Sequence, residues 1–267
     1  MIDKLNRGFI FIKGAETLDF LQGLLTCDIR KVSTSSRGAE QRGDPATGWP
    51  RFSDENLAMT GSSALYGFLL TPNGRFLSDV FITSYKDGYL LEVYDKQNFL
   101  TVLNRYKLNR NVEIEDVEGY VGWSLPRHPE SKTKDLPESI ARRSFALCTQ
   151  DDEVYYKDPR FYGYRFLSNT PMENFEEYHY HRIKSGISDP PWELIPLKSI
   201  ILEHNIPEDA VSYNKGCYIG QELIARTHHQ GVVRKKITVC NIEDASQQEG
   251  TIYSVSQNLC LVMKRQA

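Results

Sequence analysis

The sequence has few of the features that mark secreted, metal-binding or membrane proteins. Its five cysteines are an odd number, and they stand far apart at positions 27, 148, 217, 240 and 260. This spacing argues against a disulfide framework and against a closed zinc site. The longest apolar stretches fall short of the roughly 18 residues that predict a membrane span. The net charge of −3 gives no general attraction to nucleic acid.

The start of the chain also lacks a targeting signal. An Arg- and Ser-rich amphipathic segment would be expected in a mitochondrial presequence, whereas residues 9–12 already form a strand-like apolar run. We therefore expect either that the protein has no presequence or that this chain begins at a processed or engineered start. Its 267 residues, 40% of them hydrophobic, are typical of a soluble globular protein with one large or several small domains.

The most informative segment is 215–222, with the sequence KGCYIGQE. Gly216 and Gly220 permit positive φ angles and close approach by a partner. Cys217 is a soft ligand, and neighbouring positive charge would favour its thiolate form. Between positions 215 and 236 there are five Lys or Arg residues and one acid, Glu222, which gives a local net charge of +4. The same pattern also fits a buried structural cysteine beside a turn.

A second informative segment is the predicted hairpin over residues 65–83, with a tight turn at 71–75. Strand alternation places Leu77, Asp79 and Phe81 on one face. If that face is buried, the carboxylate of Asp79 needs a partner or its pKa rises. The alternative is a strand acid that points into a solvated edge or pairs with a nearby arginine.

Segment 215–222 resembles the signature of the YgfZ-type folate-binding proteins, which assist iron–sulfur cluster assembly. That family is related to the glycine-cleavage T-protein, a tetrahydrofolate-dependent aminomethyltransferase. Its pattern, Lys-Gly-Cys-aromatic-x-Gly-Gln-Glu followed by Arg, is matched by Lys215, Gly216, Cys217, Tyr218, Gly220, Gln221, Glu222 and Arg226. The continuation over residues 227–235 is most similar to the mitochondrial branch.

The resemblance implies an α+β fold of the T-protein type. We expect a multi-domain arrangement with ferredoxin-like units around a central cavity and a short C-terminal β domain. Four regions are implied. They are a first ferredoxin-like region at 1–115 with a loop or disordered insertion at 33–63, a second folate-binding-like region at 116–214, the signature cysteine loop at 215–236 and a short β region at 237–267.

The resemblance further implies an accessory factor for maturation of [4Fe–4S] proteins in the mitochondrial matrix, acting with A-type cluster carriers. Because a cluster normally needs about four protein ligands, Cys217 would hold a transient cluster shared with the partner. Tetrahydrofolate would contact Asp79, Arg160 and Arg165, although the two arginines also fit ordinary surface positions.

The alternative is a tetrahydrofolate-dependent one-carbon (aminomethyl) transferase that uses Asp79. The segment 72–79 resembles the T-protein segment that ends in two adjacent aspartates, one of which is the essential acid there. Ser78 stands at the first of these two positions here. The resemblance therefore implies contact with folate more strongly than it implies the transfer chemistry.

Overall fold

The computed structural model describes residues 5–32, 64–125, 154–231, 233–245 and 250–266. The predicted insertion at 33–63 and the polar, proline-rich segment at 126–140 lie outside these residues, as does Cys148.

The N-terminal part of the chain forms a five-stranded antiparallel sheet in the order β2-β3-β4-β1-β5. The strands are β1 Arg7–Lys13, β2 Leu65–Leu70, β3 Phe76–Tyr85, β4 Gly88–Tyr94 and β5 Glu113–Val117. Helix α1, Thr17–Leu24, follows β1, and helix α2, Lys96–Lys107, follows β4. Without the edge strand β2, the order and the two helices are those of a ferredoxin-like unit, as predicted.

Local sequence accounts for the turn and the helix start in this unit. Gly74 has a φ of 71° in the turn between β2 and β3, and its amide donates to the carbonyl of Thr71 at 2.8 Å. The carboxylate of Asp95 accepts from the amide of Asn98 and so caps α2. Both features were predicted from the sequence.

The predicted face of β3 needs one correction. Leu69 pairs with Ser78 and Leu70 pairs with Phe76, so Leu77 is skipped in a β-bulge. The bulge turns Leu77 toward the cluster that contains Val80, on the face opposite Phe81. Alternation therefore holds for Asp79 and Phe81 but fails for Leu77, because a bulge inserts one residue into the two-residue repeat.

A second, three-stranded sheet follows, in the order β6-β8-β7. Its strands are β6 Tyr120–Ser124, β7 Tyr155–Lys157 and β8 Tyr164–Ser168. Helix α3, Phe175–Lys184, comes next and is followed by Gly186, which has the left-handed φ of 72° that commonly follows a helix C-terminus. The buried Trp123 of β6 packs edge-on against Tyr178 of α3, which joins the helix to the sheet.

The C-terminal part contains a third sheet, in the order β10-β11-β9, where a short β domain was expected. It is preceded by helix α4, Gln221–Gln230, and comprises β9 Lys235–Asn241, the short helix α5 Ile242–Ala245, β10 Thr251–Ser256 and β11 Leu259–Arg265. Strand β10 was not predicted. A register shift between Ile252 and Ser254 interrupts its two-residue repeat, and Ile252 and Val255 are exposed. Within the part of the chain that is described, every helix is too short or too polar to cross a lipid bilayer.

Candidate functional site

Residues 215–220 form the loop that carries Cys217, which we call the signature loop. A buried lysine anchors it to the end of helix α1. Lys215 is 6% exposed, and its ammonium group donates to the carbonyl oxygens of Gln22 at 2.9 Å, of Cys27 at 2.7 Å and of Leu25. Gln22 lies in the last turn of α1, where carbonyls lack intrahelical partners, and Leu25 and Cys27 follow directly after the helix. Burial lowers the pKa of Lys215 to about 8, so the group is still mainly protonated at neutral pH. Lys215 therefore caps α1 and fixes the loop to it.

Backbone hydrogen bonds on either side of Lys215 strengthen this attachment. The amide of Ser212 donates to Thr26 at 2.9 Å, and the amide of Ile219 donates to Gly23 at 3.3 Å. Tyr218 is 6% exposed and packs within the main hydrophobic core, with the Lys215 ammonium 5.0 Å from its ring. The loop is therefore held on both sides of position 217.

Gly220 satisfies a steric requirement of this arrangement. It has a φ of 80° and directly precedes α4. A Cβ at this position would lie 2.5 Å from the Thr71 carbonyl oxygen and 3.0 Å from the Cα of Gly74. The loop and the β2–β3 turn can thus approach so closely only because both positions are glycine.

Gly216 behaves differently from the prediction. It is exposed, it is absent from the glycines with positive φ, and a Cβ built on it would meet nothing within 4 Å. Among the described contacts, neither the fold nor the packing requires glycine here. The space beside Cys217 is open.

Cys217 itself is exposed, between the buried Lys215 and the buried Tyr218. The alternative of a buried structural cysteine is therefore wrong. Cys27 and Cys260, in contrast, are fully buried, and burial raises the pKa of Cys27 to about 12. Of the cysteines that the structure describes, Cys217 presents its sulfur most openly to a visiting group.

Three of the five Lys and Arg side chains in segment 215–236 bond to groups other than Cys217. The ammonium of Lys215 points at α1, and that of Lys236 donates to the carbonyl of His204 at 2.8 Å. Arg226 forms an exposed ion pair with Glu222 one helical turn away, at 2.6 Å. The charge of Lys215 is used to anchor the loop to the end of α1.

The remaining motif residue, Gln221, is the first residue of α4 and is partly buried. The backbone amide of Gln221 donates to the backbone carbonyl of Tyr218 at 3.2 Å, which tightens the turn into the helix. Beyond the motif, Tyr213 stacks on the exposed His228 of α4 with ring centroids 3.8 Å apart. This contact joins the segment before the loop to the helix after it, and no sequence pattern indicated it.

Asp79, the other predicted site residue, is fully buried at the centre of the protein. Its carboxylate accepts from Arg7 at 2.8 and 3.1 Å and from the hydroxyl of Tyr66 at 3.0 Å. Burial raises the pKa of Asp79, while Arg7 opposes the rise. The face that carries Asp79 is therefore buried, and an arginine pairs with the carboxylate, so the solvated edge is excluded.

Asp79 is the first member of a buried chain of alternating acids and arginines. In order, its members are Asp79, Arg7, Glu92, Arg165, Asp158, Arg160, Asp189, Arg182 and Glu193. All nine are at most 8% exposed. The chain begins on the first sheet, passes through β8 of the second sheet to Arg182 of α3 and ends at Glu193 beyond that helix. Arg182 also donates to Ser254 of β10. We call it the buried ionic chain.

Arg160 and Arg165 are therefore interior residues and do not lie at the surface. Each of the three nitrogens of Arg160 donates to Asp158, Asp189 or Tyr178. Those of Arg165 donate to Glu92 and Asp158. Although burial opposes ionisation, the neighbouring arginines hold the pKa of Glu92 at about 2.

The hydrogen bonds of Asp79, Arg160 and Arg165 show whether these side chains have groups available to bind folate. Both carboxylate oxygens of Asp79 and all three guanidinium nitrogens of Arg160 and Arg165 already bond to other side chains. A folate molecule would have to break buried ion pairs to reach them, which is costly. The three residues in this arrangement do not fit the cofactor, and we derive no chemical step through it.

Sequence reasoning missed Arg7 and Glu92, the residues that neutralise this interior. Glu92 was detectable as the one acid in the strand segment LLEVY of β4. Arg7, directly before the apolar run of β1, gave a weaker signal because a charged residue at a strand end is common. Its pairing with Asp79 spans 72 residues of sequence, which no local pattern reveals.

The described residues contain no group of three or more His, Cys, Asp or Glu side chains placed to hold a metal ion. Cys217 could therefore act as one ligand among several only if the others came from elsewhere. The described residues therefore provide an exposed thiol on an anchored loop, and a buried ionic chain whose charges pair with one another.

No protein-family model matches the chain. Curated relatives include the iron–sulfur cluster assembly factor IBA57, mitochondrial, of Homo sapiens, which is 30% identical over 86% of this chain, and that of Mus musculus, which is 29% identical over 89%. A homologue in Mycosarcoma maydis is 27% identical over 87%. The chain spans 63%, 64% and 54% of these three proteins, less than two thirds of each.

Among solved structures, the chain resembles the glycine cleavage system aminomethyltransferase T from Bartonella henselae. The match has a TM-score of 0.64 and covers 98% of this chain and 76% of that protein, at 10% identity, so it shows the fold alone. It confirms the predicted T-protein-like fold, and the curated relatives confirm the resemblance read from the 215–222 motif. The chain thus has the fold of the T-protein and, over most of its length, is similar in sequence to proteins named as mitochondrial iron–sulfur cluster assembly factors.

Proposed function

We propose that this protein is an accessory factor for the maturation of [4Fe–4S] proteins and that Cys217 is its cluster ligand. The observation that carries the proposal is the exposed thiol of Cys217 between two buried anchors, Lys215 and Tyr218. The names of the curated relatives support the assembly role. The cluster is cargo here, passed on to another protein.

Cluster chemistry requires a partner. An iron–sulfur cluster normally has about four protein ligands, whereas Cys27 and Cys260 are buried, Cys240 is only partly exposed, and the described residues contain no group of three or more His, Cys, Asp or Glu side chains placed to hold a metal ion. We infer that an A-type carrier supplies the remaining thiolates and that Cys217 completes the shared site. The open space at Gly216 leaves room for the carrier's backbone to approach.

The anchoring of the loop makes this role energetically reasonable. Because Lys215, Ser212 and Ile219 are already bonded to the end of α1, the loop loses little conformational freedom when a partner docks. A preorganised contact of this kind avoids an ordering cost of about 0.5–1.5 kcal/mol for each side chain that would otherwise be immobilised.

The relatives' names also support a site of action in mitochondria, and we propose that this protein acts in the matrix. Tetrahydrofolate binding stays a prediction, and it would have to use groups other than Asp79, Arg160 and Arg165, which are bonded within the buried ionic chain. Isothermal titration with tetrahydrofolate would decide it.

The aminomethyltransferase alternative depends on Asp79, and a substitution separates the two functions. Asp79→Asn should abolish a transferase that needs this carboxylate, whereas an assembly factor should retain function in proportion to its folded amount. The amount of soluble protein must be measured alongside, since the change disturbs the contact with Arg7. A folded Asp79→Asn variant that no longer supports cluster-dependent enzymes would contradict the assembly assignment.

The proposed function is tested by complementation of cells that lack their own assembly factor of this type. Cys217→Ser should leave [4Fe–4S] enzymes such as aconitase inactive while the protein stays folded. Cys240→Ser, which removes a partly exposed sulfur on β9, is the matched control and should restore activity. Normal aconitase activity with Cys217→Ser would overturn the proposal.

A further inference from the structure

Two further cysteines face each other in the C-terminal sheet. Cys240 on β9 and Cys260 on β11 are direct partners in the antiparallel register. Residues directly opposite in such a pair project from the same face of the sheet. The Cys260 sulfur lies 3.4 Å from the backbone oxygen of Cys240, which places it against the opposite strand at this position. The two thiols are therefore immediate neighbours, although they are 20 residues apart in the chain.

The surroundings of the two thiols are mainly apolar. Cys260 is fully buried with Ala245 and Val262, and Cys240 and Ile242 pack against this cluster. Burial raises the pKa of Cys260, with Cys240 adding to the rise and Lys264 opposing it. Cys240 is only partly buried. One sulfur is thus accessible from outside and the other lies behind it.

The backbone geometry suits a covalent link. Facing residues in antiparallel strands have Cα atoms about 4.5–5.5 Å apart, and disulfides bridge Cα distances of about 4.4–6.8 Å. The register of Cys240 with Cys260 therefore gives a backbone separation within the range that a disulfide bridges. Both are free thiols in the structure.

We propose that Cys240 and Cys260 form a dithiol site that exchanges with small disulfides such as oxidised glutathione. The Cys240 thiolate attacks the glutathione disulfide, which gives a mixed disulfide and releases one reduced glutathione. The Cys260 thiolate then attacks the sulfur of Cys240, which forms the Cys240–Cys260 bond and releases the second glutathione. The protein loses two electrons and two protons, and oxidised glutathione gains them as two thiols.

The order of events follows from exposure. Cys240 meets the reagent first because it is partly exposed, and the buried Cys260 acts as the resolving thiol because it contacts the facing strand. The resulting link joins β9, which follows α4, to β11 at the centre of the third sheet. This site does not involve Cys217, so its test is independent of the proposed function.

The test uses the full chain with Cys148→Ser and Cys217→Ser. The second substitution removes the exposed thiol, and the first removes the cysteine that lies outside the described residues. After anaerobic incubation with oxidised glutathione, intact-mass spectrometry should show the loss of two hydrogen atoms and no glutathione adduct. Peptide mapping should link 240 to 260, and dithiothreitol should restore both thiols.

A third substitution separates exchange from simple adduct formation. With Cys260→Ala added, the mixed disulfide cannot resolve, and Cys240 should keep one glutathione. With Cys240→Ser added instead, the buried Cys260 should stay reduced. A stable glutathione adduct on Cys240 while Cys260 is present would overturn the proposal. So would two thiols that remain reduced throughout, or a bond from either one to Cys27.

Discussion

Replacing Lys215 by methionine tests the claim that this lysine holds the signature loop on the end of α1. Methionine keeps the length and apolar stem of the side chain but removes the ammonium group. The carbonyl oxygens of Gln22, Leu25 and Cys27 then lose the donor that they share. We expect the loop to detach locally and the protein to lose stability.

The size of the effect can be worked from burial. Leu25 and Cys27 are fully buried, and a buried acceptor without a donor costs about 1–3 kcal/mol, so the two together give about 2–6 kcal/mol. Lys215 also bears a desolvation cost, visible in its lowered pKa of about 8, which methionine avoids. The net loss should therefore lie near the lower end, at about 2–3 kcal/mol.

The assay is thermal unfolding together with hydrogen exchange. At about 2–4 °C per kcal/mol for a protein of this size, the Tm should fall by about 4–12 °C. The amides of Ser212 and Ile219, which bond to the end of α1, should exchange faster. Lys235→Met, at an exposed position on β9, is the control and should change neither. Equal melting temperatures for the two variants would refute the anchoring role.

Two other predictions concern the interior. Arg165→Met leaves Glu92 and Asp158 with fewer buried partners, and it should lower the free energy of unfolding, measured in urea, by about 3–5 kcal/mol. Arg234→Met, at an exposed position, is the control and should lower it by under about 0.5 kcal/mol. Similar urea midpoints for the two variants would contradict the stabilising role of the buried ionic chain. Burial lowers the pKa of His204 from 6.5 to about 4, so the unfolded state binds more protons between these values and stability falls on acidification. From pH 7 to pH 5 the titration of His204 should lower the free energy of unfolding by about 2 kcal/mol. His204→Gln should reduce the dependence of that free energy on pH, and an unchanged dependence would show that His204 is not the titrating group.

The sequence allowed the local features to be predicted and left the long-range ones hidden. The turn at Gly74 and the cap at Asp95 depend on residues within a few positions, and both were found. The rule of strand alternation failed at Leu77, because a bulge is set by the pairing strand. A single sequence gives little indication of such a bulge.

The candidate site shows the same division. Exposure of Cys217 agrees with the motif, but the motif does not show that Lys215 reaches residues 22–27, nearly 200 positions earlier. Likewise, Asp79 was recognised as an acid that needs a partner, whereas Arg7 could be identified as that partner only from the fold. Contacts of this kind depend on how the sheets pack together, which a single sequence does not encode locally.

The central claim is that Cys217 ligates a cluster that a carrier protein completes. Its most direct test is anaerobic reconstitution of this protein with an A-type carrier, iron and sulfide, followed by size-exclusion chromatography with absorbance and iron analysis of the mixed complex. We predict a cluster-bearing complex with the native chain and its loss with Cys217→Ser, while both proteins stay folded. A complex of equal cluster content with Cys217→Ser would contradict the claim.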